Sequence, residues 1–196
     1  RPVLVLTDDD NAANRFAADL CGFSERDIVQ LPSRELVMAD VVGVSRGYEQ
    51  RRLAALDELT EAHFAVASVQ AAAQRTMPPE ALKAAIVSLA TGETAPLDEL
   101  AQSLTRAGYE RCVQVEGTGQ FSIRGGILDV FPPQAEHPYR VEFWDDEIDS
   151  ISTFDVGSQR RLEQCECLRC LPCMESIPAL AKGGAAGLAK AVLALT

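Results

Sequence analysis

Near Cys112 the spacing of apolar residues changes period, and that change constrains the fold more than any other feature of the chain. Downstream, Phe121/Ile123, Leu128/Val130 and Val141/Phe143 alternate with polar residues, as strands with one buried face do. Val113 and Val115 carry the same spacing and predict that the alternation begins at Cys112. Gly117-Thr118-Gly119, Gly125-Gly126 and Pro132-Pro133 separate the runs. Asp145, Asp146, Glu147 and Asp149 could suggest a hard-metal site, but Asp-Asp between two alternating runs reads better as an exposed hairpin turn. An antiparallel β-meander is therefore expected.

Upstream the period is helical. After Pro78-Pro79, the residues Leu82, Ala85, Ile86 and Leu89 predict a helix that Gly92 ends, and Leu97, Leu100, Ala101 and Leu104 predict another that Gly108 ends. Two helices and a meander make an α+β domain over 78–157. Before it, Val3–Leu6 reads as a strand and Asp8-Asp9-Asp10 as a turn, followed by a helix with Ala13, Phe16, Ala17 and Leu20 on one face, stopped by Gly22. Ile28–Leu31 as a strand, a helix begun at Ser45 and carrying Leu53, Leu56 and Leu59, and a strand Phe64–Ala67 follow. Strand–helix alternation over 1–77 predicts a parallel sheet. Residues 158–196, extended over 162–171 and helical over 185–195, are expected to return to that first domain. The fold class is thus α/β: a truncated parallel-sheet domain with an inserted α+β domain.

Composition limits function. With 47% hydrophobic and 24% charged residues the chain folds, and its opening at Arg1 directly on an apolar run is what a piece of a longer protein would show. Basic residues number 18 against 29 acidic ones, for a net charge of −11, so a phosphate-gripping nucleic-acid protein is a poor fit and a protein partner a better one. No apolar run approaches the ~20 residues that span a bilayer, and no leader is evident; a cytoplasmic location with reduced thiols is expected. No G-x-x-x-x-G-K-[ST] loop occurs to cradle phosphates. Asp57-Glu58-Leu59-Thr60 sits at the end of an amphipathic helix, not on a buried strand where a metal-holding acidic box belongs. His63 and His137 lack a neighbouring nucleophile. Cys165, Cys167, Cys170 and Cys173 offer four soft ligands, but in an extended segment Cys165 and Cys167 point one way and Cys170 the other, so free thiols are expected, with no metal and no cofactor.

Tyr139-Arg140-Val141-Glu142-Phe143-Trp144 is the most informative stretch. On a strand Val141 and Phe143 face the core, while Arg140, Glu142 and Trp144 face outward. Arg124, ending the run Gln120–Ile123, falls on the polar side with Gln120 and Ser122. Arg and Trp are enriched in interface hot spots. The plainer alternative is an Arg140–Glu142 surface ion pair beside a Trp packed on its own neighbours.

Gly108-Tyr109-Glu110-Arg111, Gly119-Gln120-Phe121, Arg124 through Pro133, Tyr139 through Phe143, and Asp146 through Ile151 together resemble the second domain shared by UvrB and the bacterial transcription-repair coupling factors. Leu31–Glu35, Arg52–Leu56, Ala67–Ala71 and Gln74-Arg75-Thr76 extend the likeness to the first domain. UvrB carries a phosphate loop and a long tyrosine-rich hairpin that have no counterpart here, so the N-terminal UvrB-homology module of the coupling factor (Mfd) is the better match. The resemblance implies a non-enzymatic module for DNA repair that docks UvrA through Arg124, Arg140 and Trp144, within a longer helicase-related parent that handles RNA polymerase and DNA and masks this surface with a C-terminal domain. The alternative it leaves is a UvrB-like fragment binding DNA and ATP. Gly47 where relatives carry an acidic residue, Trp144-Asp145 for an aromatic-glycine pair, and the cysteine run are departures from the family pattern.

Overall fold

The computed structural model describes residues 3–34, 46–59 and 62–175, with isolated positions beyond 175. The chain forms two compact units, Arg1–Pro79 and Glu80–Thr196.

In the first unit β1 (Val3–Thr7), α1 (Asp10–Phe23), β2 (Ile28–Leu31), α2 (Arg46–Glu58), β3 (Phe64–Ser68) and α3 (Val69–Ala73) follow in turn. β3 lies between β1 and β2 and runs parallel to both. A central parallel strand is covered on both faces, which is why Phe64-Ala-Val-Ala-Ser68 is a continuous run without polar alternation until Ser68. α1 begins where the Asp9 carboxylate accepts the Ala12 N–H at 2.7 Å. It buries only Ala13 and Ala17, so Phe16, expected on the same stripe, is 42% exposed, and the helix passes Gly22 to end at Phe23. α2 buries Leu53 fully and Leu56 in part, and Leu59, just past its end, is half-buried; the expected start at Ser45 lies outside the described residues.

One carboxylate joins the loops that leave this sheet. Asp10 accepts the Ser33 hydroxyl at 2.6 Å, the Ser33 N–H at 2.9 Å and the Ser68 hydroxyl at 2.5 Å. Burial pushes the Asp10 carboxyl up, but these donors and the nearby Arg52 charge outweigh it and hold it below its ordinary value. Arg52, fully buried, donates to the Pro32 carbonyl.

The second unit comprises α4 (Pro79–Ala85), β4 (Val87–Ala90), α5 (Leu97–Arg106), β5 (Glu110–Arg111), β6 (Gln120–Arg124), β7 (Ile127–Phe131), β8 (Tyr139–Trp144), β9 (Glu147–Phe154), β10 (Arg161–Cys165) and β11 (Cys167–Cys170). Strands β10-β9-β8-β7-β6-β5 form a six-stranded sheet, antiparallel except for the β5–β6 pair, and β11 and β4 form a separate antiparallel ribbon. Phe121, Leu128, Val130, Val141 and Ile151, all fully buried, make the centre of a core with Leu100 and Leu104 of α5 and Leu89 and Leu168 of the ribbon. The expected turns hold: Gly125 between β6 and β7 has φ +60°, and Asp145 between β8 and β9 has φ 56°, a conformation that Asp tolerates better than most side chains.

Four expectations give way here. The helix predicted through Leu89 to Gly92 stops at Ala85, and Val87–Ala90 is a strand. Leu82, Ala85, Ile86 and Leu89 do satisfy helical spacing, but Val87 and Leu89 equally satisfy alternation, and pairing with Cys167–Cys170 decides between them. The strand predicted from Cys112 is absent: Val113 is 86% exposed while Val115 is buried, and the strand beside β6 on its side away from β7 is the two-residue β5. The sheet is therefore a meander with a parallel edge. The return to the first domain at 158 is also corrected, since β10 pairs with β9 and β11 with β4, which keeps residues up to 170 in the second unit. Finally, 162–171 is two strands belonging to different sheets, broken at Glu166. Most of the predicted 185–195 helix falls outside the described residues. At the level of class the reading stands: mixed α/β, with a parallel and an antiparallel sheet.

Candidate docking face

The two faces of the six-stranded sheet differ in chemistry. One packs on α5 and the ribbon; the other carries a polar row that crosses five strands in register, Ser122–Asp129–Arg140–Ser152–Gln164. Alternation places Arg124 beyond Ser122 on β6, and Glu142 and Trp144 beyond Arg140 on β8.

Asp129 is the centre of this row. Only 1% exposed, its carboxylate accepts Nε of Arg140 at 2.7 Å and Nη2 of Arg140 at 2.9 Å in a bidentate pair, and Nη2 of Arg124 at 2.9 Å. Arg140 is held further by the Gln159 side-chain oxygen at 3.2 Å and by the Phe154 ring, 4.5 Å from its guanidinium carbon. Hydrogen bonding to Asp129 raises the Arg140 pKa above its already high value. Arg140 is thus mostly buried, with 19% of its side chain exposed, whereas Arg124 keeps 51%. Trp144 is 82% exposed.

The structure accordingly brings Arg124 and Arg140 together through a shared carboxylate and sets Trp144 apart at the far end of the strand. The alternative pairing of Arg140 with Glu142 is not what forms: Glu142 binds Arg161 at 2.8 Å and accepts the Ser150 hydroxyl at 2.9 Å. The hydrogen bond from Arg161, then that from Ser150, hold the Glu142 carboxyl below its ordinary value. Sequence reasoning missed Asp129. Its signal was an acidic residue between Leu128 and Val130, on the same alternation as the arginines, with the Gly125 turn setting Ser122 opposite it.

Cys165, Cys170 and Cys173 pack in the core of the second unit, and Cys167 does not. Among the described residues no group of three or more His, Cys, Asp or Glu side chains is arranged to hold a metal ion. Cys170 and Cys173 are buried beside Tyr109, whose hydroxyl donates to the Leu171 carbonyl at 2.7 Å. Burial pushes the Cys170 thiol up to about 12, so it behaves as a small apolar side chain. Cys167 is exposed on the opposite side of β11. No helix among the described residues is long and apolar enough to cross a membrane.

Residues 87–175, which include β4 through β11, match the model of the UvrB interaction domain. The chain is 35% identical over 181 residues to the transcription-repair-coupling factor of Bacillus subtilis, 34% over 184 to that of Myxococcus xanthus, and 32% over 176 to that of Escherichia coli. These alignments cover 89–90% of this chain and 15% of each relative, so the chain spans about one part in seven of their length. The chain is therefore homologous to one segment of the transcription-repair-coupling factors, and its residues 87–175 match the UvrB interaction domain.

Proposed function

We propose that this chain is a non-enzymatic, cytoplasmic docking module that binds UvrA for transcription-coupled nucleotide excision repair, through Arg124, Arg140 and Trp144. The observation that carries the reading is the polar face of the six-stranded sheet: it presents a half-exposed arginine and an almost fully exposed tryptophan on a rigid scaffold, in a chain whose net charge is −11. A half-exposed arginine with unused donors favours a carboxylate on the partner surface and guides it into register. The relatives are named for coupling transcription to repair, and the matching family model carries the name UvrB interaction domain, which supports a role in that process. In the longer parent, RNA polymerase and DNA would engage segments outside this chain, and a C-terminal domain would mask this face.

The first unit then serves as a truncated helicase-like sheet that no longer takes nucleotide. Crevices outside the carboxyl ends of parallel strands are where such sheets bind phosphates, often at a helix N-terminus. Here the Asp9 carboxylate caps α1, and Asp10 holds the Ser33 and Ser68 donors. Two carboxylates at that position repel a phosphate, which favours docking over the ATP-binding alternative.

The test is calorimetric titration of this chain with UvrA from the same organism. Binding is expected to weaken by about 2 kcal/mol or more in Arg124→Ala, as for a hot spot, with the unfolding midpoint little changed. Normal UvrA binding by folded Arg124→Ala would overturn the assigned face.

A further inference from the structure

We infer that Asp129 is the positioning residue of this face: it fixes Arg140 as a support, so that Arg124 is the guanidinium that reads a carboxylate on the partner. The inference rests on the docking reading and divides between the two arginines a role that reading assigns to both.

The division follows from counting donors. A guanidinium has five N–H groups in a planar fork. Arg140 spends Nε and one Nη2 proton on Asp129 and the other Nη2 proton on the Gln159 side chain, while Nη1 points to the Gln159 carbonyl at 3.5 Å. Its plane rests on Phe154. To reach a partner through these donors Arg140 would have to leave a buried carboxylate, the costliest kind of ion pair to open. Arg124 spends one proton on the same carboxylate, so among the described residues four of its five N–H groups have no protein acceptor. It is also more than twice as exposed.

Asp129 itself cannot be the contact, because only 1% of it is accessible. What it does is hold Arg124 by one end. An arginine at the end of β6, beside the Gly125 turn, would otherwise sample many rotamers, and immobilising a long side chain on binding costs conformational entropy. With Arg140 bonded to both carboxylate oxygens and Arg124 sharing one of them, Asp129 carries two guanidiniums on one negative charge, and the three groups together are net positive. A partner Asp or Glu completes the set by accepting the free edge of Arg124.

The experiment is a double-mutant cycle on the full 196-residue chain, read by titration with UvrA, using Asp129→Asn, Arg124→Ala and the double variant, each checked for folding by circular dichroism. Asp129→Asn is expected to weaken binding at least fivefold, and the double variant to bind no worse than Arg124→Ala alone, since a positioner has nothing to position once its arginine is gone. Effects that multiply in the double variant, or a folded Asp129→Asn that binds like the parent chain, overturn the positioning role while Arg124→Ala still reports on the docking reading. A folded Arg124→Ala that binds normally overturns both. A measurement on the unaltered chain keeps the claim testable if Asp129→Asn does not fold: by NMR, the Nε–H of Arg140 is expected to exchange with solvent at least tenfold more slowly than that of Arg124. Equal exchange rates would overturn the inference.

Discussion

The six-stranded sheet meets two different demands on its two faces. Its inner face is packed with Phe121, Leu128, Val130, Val141 and Ile151, where stability comes from removing apolar surface from water and shape decides everything. On its outer face charge is buried, at Asp129, and exposed, at Arg124, within one hydrogen-bonded row. The comparison teaches that a buried polar group can serve presentation more than stability. Replacing the row with apolar residues would pack as well or better, yet nothing would then hold a guanidinium at the surface.

The largest effect expected belongs to the inner face. Phe121→Ala should cost about 3–5 kcal/mol of unfolding free energy, as truncation of a core Phe does, measurable by urea titration. Phe143, which sequence alternation also places inward, is only partly buried beside a bulge between β8 and β9, and its truncation should cost less than that of Phe121. Next comes Arg140→Ala on the outer face. Because it strips the bidentate partner from buried Asp129, it should lower stability by about 3 kcal/mol, so this arginine, unlike Arg124, is expected to move the unfolding midpoint. A negligible shift would erase the difference between the two arginines. Trp144→Ala should follow, with about 1–2 kcal/mol lost in UvrA binding and an unchanged midpoint, because an 82% exposed ring contributes little to the fold. The smallest effect is one of pH. Glu142 has its folded pKa depressed by Arg161 and Ser150, so its contribution is present above the ordinary glutamate range and lost as pH falls through the depressed folded value. With both partners more than a third exposed, solvent screening keeps that contribution small. An acid titration of Glu142→Gln against the parent chain should show a slightly shallower loss of stability for the variant.

Much of this was legible in the sequence, and what was not shares one cause. Turns announced themselves through local chemistry: Gly125-Gly126 and Asp145-Asp146 specify backbone conformations that few other residues adopt. The outward placement of Arg124, Arg140 and Trp144 followed from alternation alone. What failed depended on partners distant in the chain. Val87–Ala90 reads as either period until Cys167–Cys170 pairs with it, and Val113 reads as a core residue until Glu110–Arg111 takes the place beside β6. Asp129 is the functional instance: its role exists only once β6, β7 and β8 are in register, bringing together residues 124, 129 and 140.

The β4–β11 ribbon has a mechanical consequence. Val87 pairs with Cys170 and Ala90 with Cys167, so the chain enters and leaves the ribbon at the same end. Tension applied to the flanking chain, once the Cys173 bond to Ala107 and the Tyr109 bond to Leu171 give way, would load that end first and open the pairs one after another, as a zip opens, not all together in shear. The six-stranded sheet, whose bonds lie inside the closed loop, would carry none of that load until the ribbon had parted. Under pull the ribbon would therefore open before the six-stranded sheet and its arginine-bearing face took up the load.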